Sequence, residues 1–167
     1  PVEVLEKLAA DMEGEVRKAV AKNSSCPVEV LEKLAADLEA EVCIAVAENS
    51  NCPVGVLEKL AWNTNWWLRY NIAQNPSCPV WVLEKLASDT EISVRITVAS
   101  NPNSLSKTLE KLAGDANEAV LLAVARNPNS RVEALEKLAG KDTILGPAEE
   151  LIRNPNLPVE LLEKLAA

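Results

Sequence analysis

Three cysteines, Cys26, Cys52 and Cys78, recur at the same spacing along the chain, and a fourth, Cys43, stands apart from them. Thiolates at regular intervals could ligate a metal or pair as disulfides, so their spacing decides which chemistry is open. Carboxylates recur in the same way, as Glu6, Glu32, Glu58, Glu84, Glu110 and Glu136, and could serve as general acids or bases. A third cluster is aromatic. Trp62, Trp66, Trp67, Tyr70 and Trp81 are all of the chain's rings, packed between positions 62 and 81, and there is no Phe or His anywhere. Large rings gathered in one stretch point to recognition, because Trp and Tyr anchor many interfaces.

What these groups can do depends on the elements that position them, and those elements repeat. The pentapeptide LEKLA begins at Leu5, Leu31, Leu57, Leu83, Leu109, Leu135 and Leu162. The repeats run 1–26, 27–52, 53–78, 79–104, 105–130 and 131–157, with a half repeat at 158–167 and one extra residue in the sixth. Each carries two helix-length segments. The first, PVEVLEKLAA, has Pro at the expected first helical position and an apolar stripe at Val4, Leu5, Leu8 and Ala9. The second follows Asp11, read as its N-cap, and places Val16, Ala19 and Val20 on one face. It stops at an Asn that returns as Asn49, Asn75, Asn101, Asn127 and Asn154, a residue suited to a left-handed helix end and a turn.

Helices of about ten residues are marginal alone, and two of them cannot bury their stripes within one repeat. Stacking is required, and it predicts a single domain over 1–167: an all-α, right-handed α-solenoid, or superhelix, of 26-residue two-helix repeats. The run PVEVLEKLAADxxxEVRxAVAxNxxC resembles the leucine-rich repeat variant family along essentially the whole chain. The resemblance implies alternating short helices in a superhelix and leaves function to the exposed surface. Some members of that family carry an iron–sulfur module in a separate cysteine cluster; no cluster here matches it, so no cofactor is expected.

Within this frame the chemistry thins out. Equivalent residues of stacked repeats lie about 9–10 Å apart, beyond the roughly 7 Å between Cα atoms that a disulfide spans, and too far for a shared zinc. Ser104 and Ser130 replace the cysteines later, which reads as a small capping residue ahead of the first helix. The in-register glutamates read as a solvated helix face. Without His, a phosphate loop or a nucleophile motif, catalysis has no candidate residues. A net charge of -8 disfavours nucleic acid, and no apolar run approaches a membrane span. The free thiols, and a start at Pro1 directly on repeat sequence without a leader, suggest a soluble, cytoplasmic chain.

Comparing repeats separates core from surface. The Gly14 site holds Ala40, Trp66, Ile92 and Glu118 in later repeats; the Glu15 site holds Glu41, Trp67, Ser93 and Ala119; the Lys18 site holds Ile44, Tyr70, Ile96 and Leu122. Sites that accept Gly, Lys and Trp in turn must face solvent. Trp66, Trp67 and Tyr70 are therefore expected to form an exposed patch, continued by Ile44 on one side and by Ile92 and Ile96 on the other. Trp62 and Trp81 fall at Ala10-type and Glu3-type sites of the first segment, and the spacing leaves open whether they share that face.

The first reading is a non-enzymatic module that presents this patch to a protein or peptide. A second is a structural scaffold, or one that associates with itself through the same patch. A third, a nucleic-acid-acting enzyme on a helical-repeat frame, lacks the basic groove it would need. The regular copies also suit an engineered or library-derived array, whereas the irregular third and sixth repeats argue for a natural ancestor. The sixth, with Gly146 and Pro147 at the expected start of its second helix and Glu150 at an Ala site, is expected to act as a cap with a shortened or shifted helix.

Overall fold

The computed structural model describes residues 2–140 and 146–165, with side chains described over 2–140 and 150–163. Among them the chain forms thirteen helices and no strand. The first helices of the repeats are α1 (Val2–Leu8), α3 (Val28–Leu34), α5 (Val54–Leu60), α7 (Val80–Leu86), α9 (Ser106–Leu112), α11 (Val132–Ala139) and α13 (Val159–Leu165). The second helices are α2 (Gly14–Lys22), α4 (Ala40–Glu48), α6 (Trp66–Gln74), α8 (Ile92–Ser100), α10 (Glu118–Arg126) and α12 (Gly146–Arg153). The chain divides into two compact units, Pro1–Val82 and Leu83–Ala167, at a boundary inside α7.

In the N-terminal unit α2 packs on α4 and α4 on α6, with each first helix set against the second helices beside it. In the C-terminal unit α8, α10 and α12 stack in the same way, as do α9, α11 and α13. Helices of seven to nine residues are held by this stacking rather than by their own propensity. Its effect is plain in equivalent residues: Val30 and Leu34, flanked by described repeats on both sides, are buried, whereas Val4 and Leu8 of the first repeat are exposed. Leu31, Leu57, Leu83, Leu109 and Leu135 are fully buried and form the recurring centre of the core. This is the helical-repeat stacking that the period predicts.

The helix ends differ from expectation. Pro27 and Pro53 sit in extended backbone just outside α3 and α5, and their carbonyls accept the first helical N–H groups, so they are cap residues rather than first-turn residues. Asp11 does not cap α2. Its Oδ1 accepts the N–H of Glu13 at 2.9 Å in a local turn, and the helix starts at Gly14. Asp37, Asp89 and Asp115 repeat that turn. Side-chain caps occur instead at Asn65 and Asn117, which accept from Trp67 and Ala119 N–H at 3.0 Å.

The recurring Asn is not left-handed either, since no described non-glycine residue has positive φ; Asn75, for instance, has φ -64° and ψ 126°. Its amide explains the choice. Asn75 Nδ2 donates to the Ala47 and Asn49 carbonyls of the preceding repeat at 2.6 and 3.1 Å, while its Oδ1 accepts from Ser77 N–H. Asn49, Asn127 and Asn154 make the same bridge one repeat back. A buried primary amide with donors and acceptor all satisfied fixes both the turn and the register between repeats.

The Cys/Ser column also proves to be interior rather than a cap. Ser104 and Ser130 are fully buried and donate to the Val98 and Val124 carbonyls at 2.6 and 2.7 Å, back towards the preceding helix end. Cys26, Cys52 and Cys78 occupy the same buried site, and burial pushes the Cys52 and Cys78 thiols up to about 12. In the sixth repeat α12 is described over eight residues, and positions 141–145 ahead of it lie outside the described residues, as do the side chains of Gly146 and Pro147. Glu150 is largely covered and pairs with Arg126 of the fifth repeat at 2.9 Å and with Arg153 at 3.4 Å.

Candidate functional site

Helix α6 carries the ring cluster, and its other face explains why the rings hold still. Leu68, Ile72 and Ala73 are buried, which pins the helix to the core. Asn65 caps its start, and Arg69 Nη1 donates to the Asn63 and Thr64 carbonyls at 2.9 and 3.0 Å, tying down the turn before it. Asn71, standing where the first two repeats hold Ala19 and Ala45, buries its amide and donates to the Trp67 carbonyl at 2.7 Å.

On the outer face, Trp66 is 40% and Trp67 43% exposed, and Tyr70 is half-buried. The three rings touch. Trp67 and Tyr70 stack with centroids 4.7 Å apart and planes within 9°, and Trp66 meets Trp67 edge-on at 5.4 Å and 80°. Offset stacks and edge contacts are the favoured ring arrangements, so the cluster orders itself without being buried. Gln74 extends the row, donating to Tyr70 Oη at 2.7 Å.

The other candidate residues divide by position. Ile44 is half-buried on α4, the helix packed against α6, and belongs to the same unit as the cluster. Trp62 is 61% exposed in the turn between α5 and α6 and takes no part in the ring contacts. Trp81, 38% exposed, lies on α7 in the row of first helices. Ile92 is exposed and Ile96 half-buried on α8, within the C-terminal unit. The structure thus brings Trp66, Trp67 and Tyr70 into contact and leaves Ile44 on the neighbouring helix of the same unit.

Two features escaped the sequence reading. Met12 and Leu38, in the same turn register of the first two repeats, are 97% and 101% exposed; the signal was a column of Met12, Leu38, Thr64, Thr90 and Ala116 that never settles on one residue type. Next, Arg17 forks onto Asp37 of the next repeat through Nε and Nη2 at 2.6 and 2.9 Å, and Arg95 forks onto Asp115 at 2.7 and 3.1 Å. The Arg17 hydrogen bonds hold the Asp37 carboxyl below the usual carboxylate range. The sequence carried this clamp as a paired change twenty residues apart: where Cys43 replaces the Arg, Asn63 replaces the Asp. Cys43 is buried in that place, its thiol facing the Asp37 carbonyl at 3.4 Å.

Tandem two-helix repeats stacked within each unit over buried leucines that recur in register define a helical-repeat scaffold. The family model described as leucine rich repeat variant matches residues 14–39, one full period of the array, and the other repeats are copies of that period. Over that period the chain is similar to the leucine-rich repeat variant family. A solved structure titled as a leucine-rich repeat variant with a novel repetitive protein structural motif is similar over 91% of this chain and 70% of its own, at 26% identity and a TM-score of 0.42. No curated protein matches the chain. No helix among the described residues is long and apolar enough to cross a membrane.

Proposed function

We propose that the chain is a non-enzymatic binding module whose repeats hold the α6 ring cluster towards a protein or peptide. The observation that carries this reading is the placement of Trp66, Trp67 and Tyr70 in mutual contact on one rigid helix, at sites where sister repeats use Gly14, Glu15 and Lys18. The fold does not need rings there. Clustered, partly exposed aromatics with few rotatable bonds are what interface anchors require. Carboxylates fall in columns along the helix faces, and no His is present to act as a base near neutral pH, which favours recognition over catalysis.

Panning a random peptide library on the immobilised full chain, with counter-selection on Trp66→Ala/Trp67→Ala, tests it. The expected result is enriched peptides that bind the parent and lose binding to the double variant. Peptides that bind both proteins equally, or no enrichment over the variant, would overturn the reading.

A further inference from the structure

We propose that the face made by α2, α4 and α6 docks a basic peptide segment, with an arginine guanidinium laid on the Trp67–Tyr70 stack and its flanking residues against the carboxylates of α2 and α4. The inference rests on the binding role just proposed and names the chemistry of the partner.

The charge on this face is one-sided. Glu13, Glu15, Glu39, Glu41 and Glu48 are all exposed at or just before α2 and α4, against Lys18 and Lys22. Both lysines are already engaged, Lys18 with Glu15 at 3.1 Å and Lys22 with Glu48 at 3.3 Å. Arg17 adds little to the surface, because its side chain is 14% exposed and forked onto Asp37. It also engages Glu39 at 3.0 Å, which leaves Glu13 and Glu41 as the carboxylates of this face outside any ion pair among the described residues. Glu41 is the α4 counterpart of Trp67, one repeat away, and makes no ion pair among the described residues. An open carboxylate thus stands one helix over from a stacked ring pair.

Stacked rings concentrate negative potential on their outer faces, and Arg is the side chain that both stacks on such a face and forks onto a carboxylate. The same field repels acidic occupants. A second copy of this chain brings a net charge of -8 to the contact, and a nucleic acid brings phosphates, so both are disfavoured. Ala40 and Ile44, half-buried along α4 among its carboxylates, offer apolar side chains to aliphatic residues of the segment on the helix that packs against α6. A segment alternating Arg with Leu has the matching pattern.

Fluorescence anisotropy of dye-labelled peptides of about twelve residues, alternating Arg–Leu, Gln–Leu or Glu–Leu, measures this on the full chain at low salt and at about 0.5 M, where screening is short-ranged. The Arg–Leu peptide should bind about tenfold or more tightly than Gln–Leu and lose affinity with salt, while Glu–Leu should not bind. Trp67→Leu and Tyr70→Leu keep apolar area but remove a ring face, and each should weaken Arg–Leu binding about tenfold. Glu41→Gln should weaken it several-fold and flatten its salt dependence, with circular dichroism showing all three variants folded.

Equal binding of Arg–Leu and Gln–Leu, both lost in Trp66→Ala/Trp67→Ala, would overturn the cationic specificity while leaving the binding role intact. Arg–Leu binding that survives Trp67→Leu and Tyr70→Leu unchanged would place the peptide elsewhere and overturn the site. A parent that binds no peptide but dimerises by light scattering, and becomes monomeric in the double Trp variant, would make a second copy the occupant and overturn the proposal.

Discussion

The two ends of the same second helices follow opposite rules. At the C-terminal end Asn49, Asn75, Asn127 and Asn154 never vary and bridge to the carbonyls of the preceding repeat. Near the N-terminal end, on the outer face, the Gly14, Glu15 and Lys18 sites change from repeat to repeat and collect the rings in α6 alone. The difference teaches where constraint lies in a stacked array. A side chain that satisfies a neighbour's buried backbone cannot be exchanged, whereas one on the outer face, on which no buried backbone depends, is free to acquire a binding role.

The sharpest way to break this contrast is at the invariant end. Asn75→Ala strands the buried Ala47 carbonyl and removes the turn acceptor for Ser77, so it should cost about 3 kcal/mol in urea unfolding, on the scale of an unsatisfied buried group plus lost hydrogen bonds. A loss near zero would mean that the bridge is incidental.

Acid sharpens the picture at the Arg17–Asp37 clamp. The folded Asp37 value is depressed by Arg17, so the clamp's contribution is complete above the unfolded carboxylate value of about 3.9 and is lost as pH falls below it. Melting followed from pH 6 down to about pH 2.5 should show Asp37→Asn destabilised at the upper end and converging on the parent at the lower. Parallel curves would contradict the assignment.

The junction between the second and third repeats lacks that clamp, and restoring it is a gain-of-function check. Cys43→Arg together with Asn63→Asp should be more stable than the sum of the single changes by about 1 kcal/mol, in a double-mutant cycle read by denaturant unfolding. Strict additivity would mean that the paired replacement of Arg and Asp in the sequence is coincidental.

Much of this was legible beforehand, and the misses lie where side chains act outside the element the pattern assigned them to. The period, the two helices and the buried leucines followed from apolar spacing, which is local to a repeat. The outer-face columns were legible because five copies sample each site. Cap and turn chemistry was misread at Asp11, at the recurring Asn and in the Cys/Ser column. The Asn serves its turn as expected, though without a left-handed backbone, but its amide also reaches the preceding repeat, and the Ser hydroxyls turn back to the end of a helix already passed. The Arg17–Asp37 clamp escaped for the same reason, since its partners lie in different repeats. At the ring site, the exposure of Trp66 and Trp67 could be inferred from their sister residues, but not the Trp67–Tyr70 stack, which depends on rotamers one helical turn apart.

A binding face on α6 requires the ring sites to lie outside the core, and denaturant unfolding of Trp66→Ala/Trp67→Ala beside Leu57→Ala tests that most directly. Leu57 is fully buried, and its truncation should cost about 3 kcal/mol, within the range for core leucines. The double Trp variant should lose less than about 1 kcal/mol, as exposed positions do. A double-variant loss equal to or greater than that of Leu57→Ala would show that the rings support the fold, and the face described here would no longer be a binding surface.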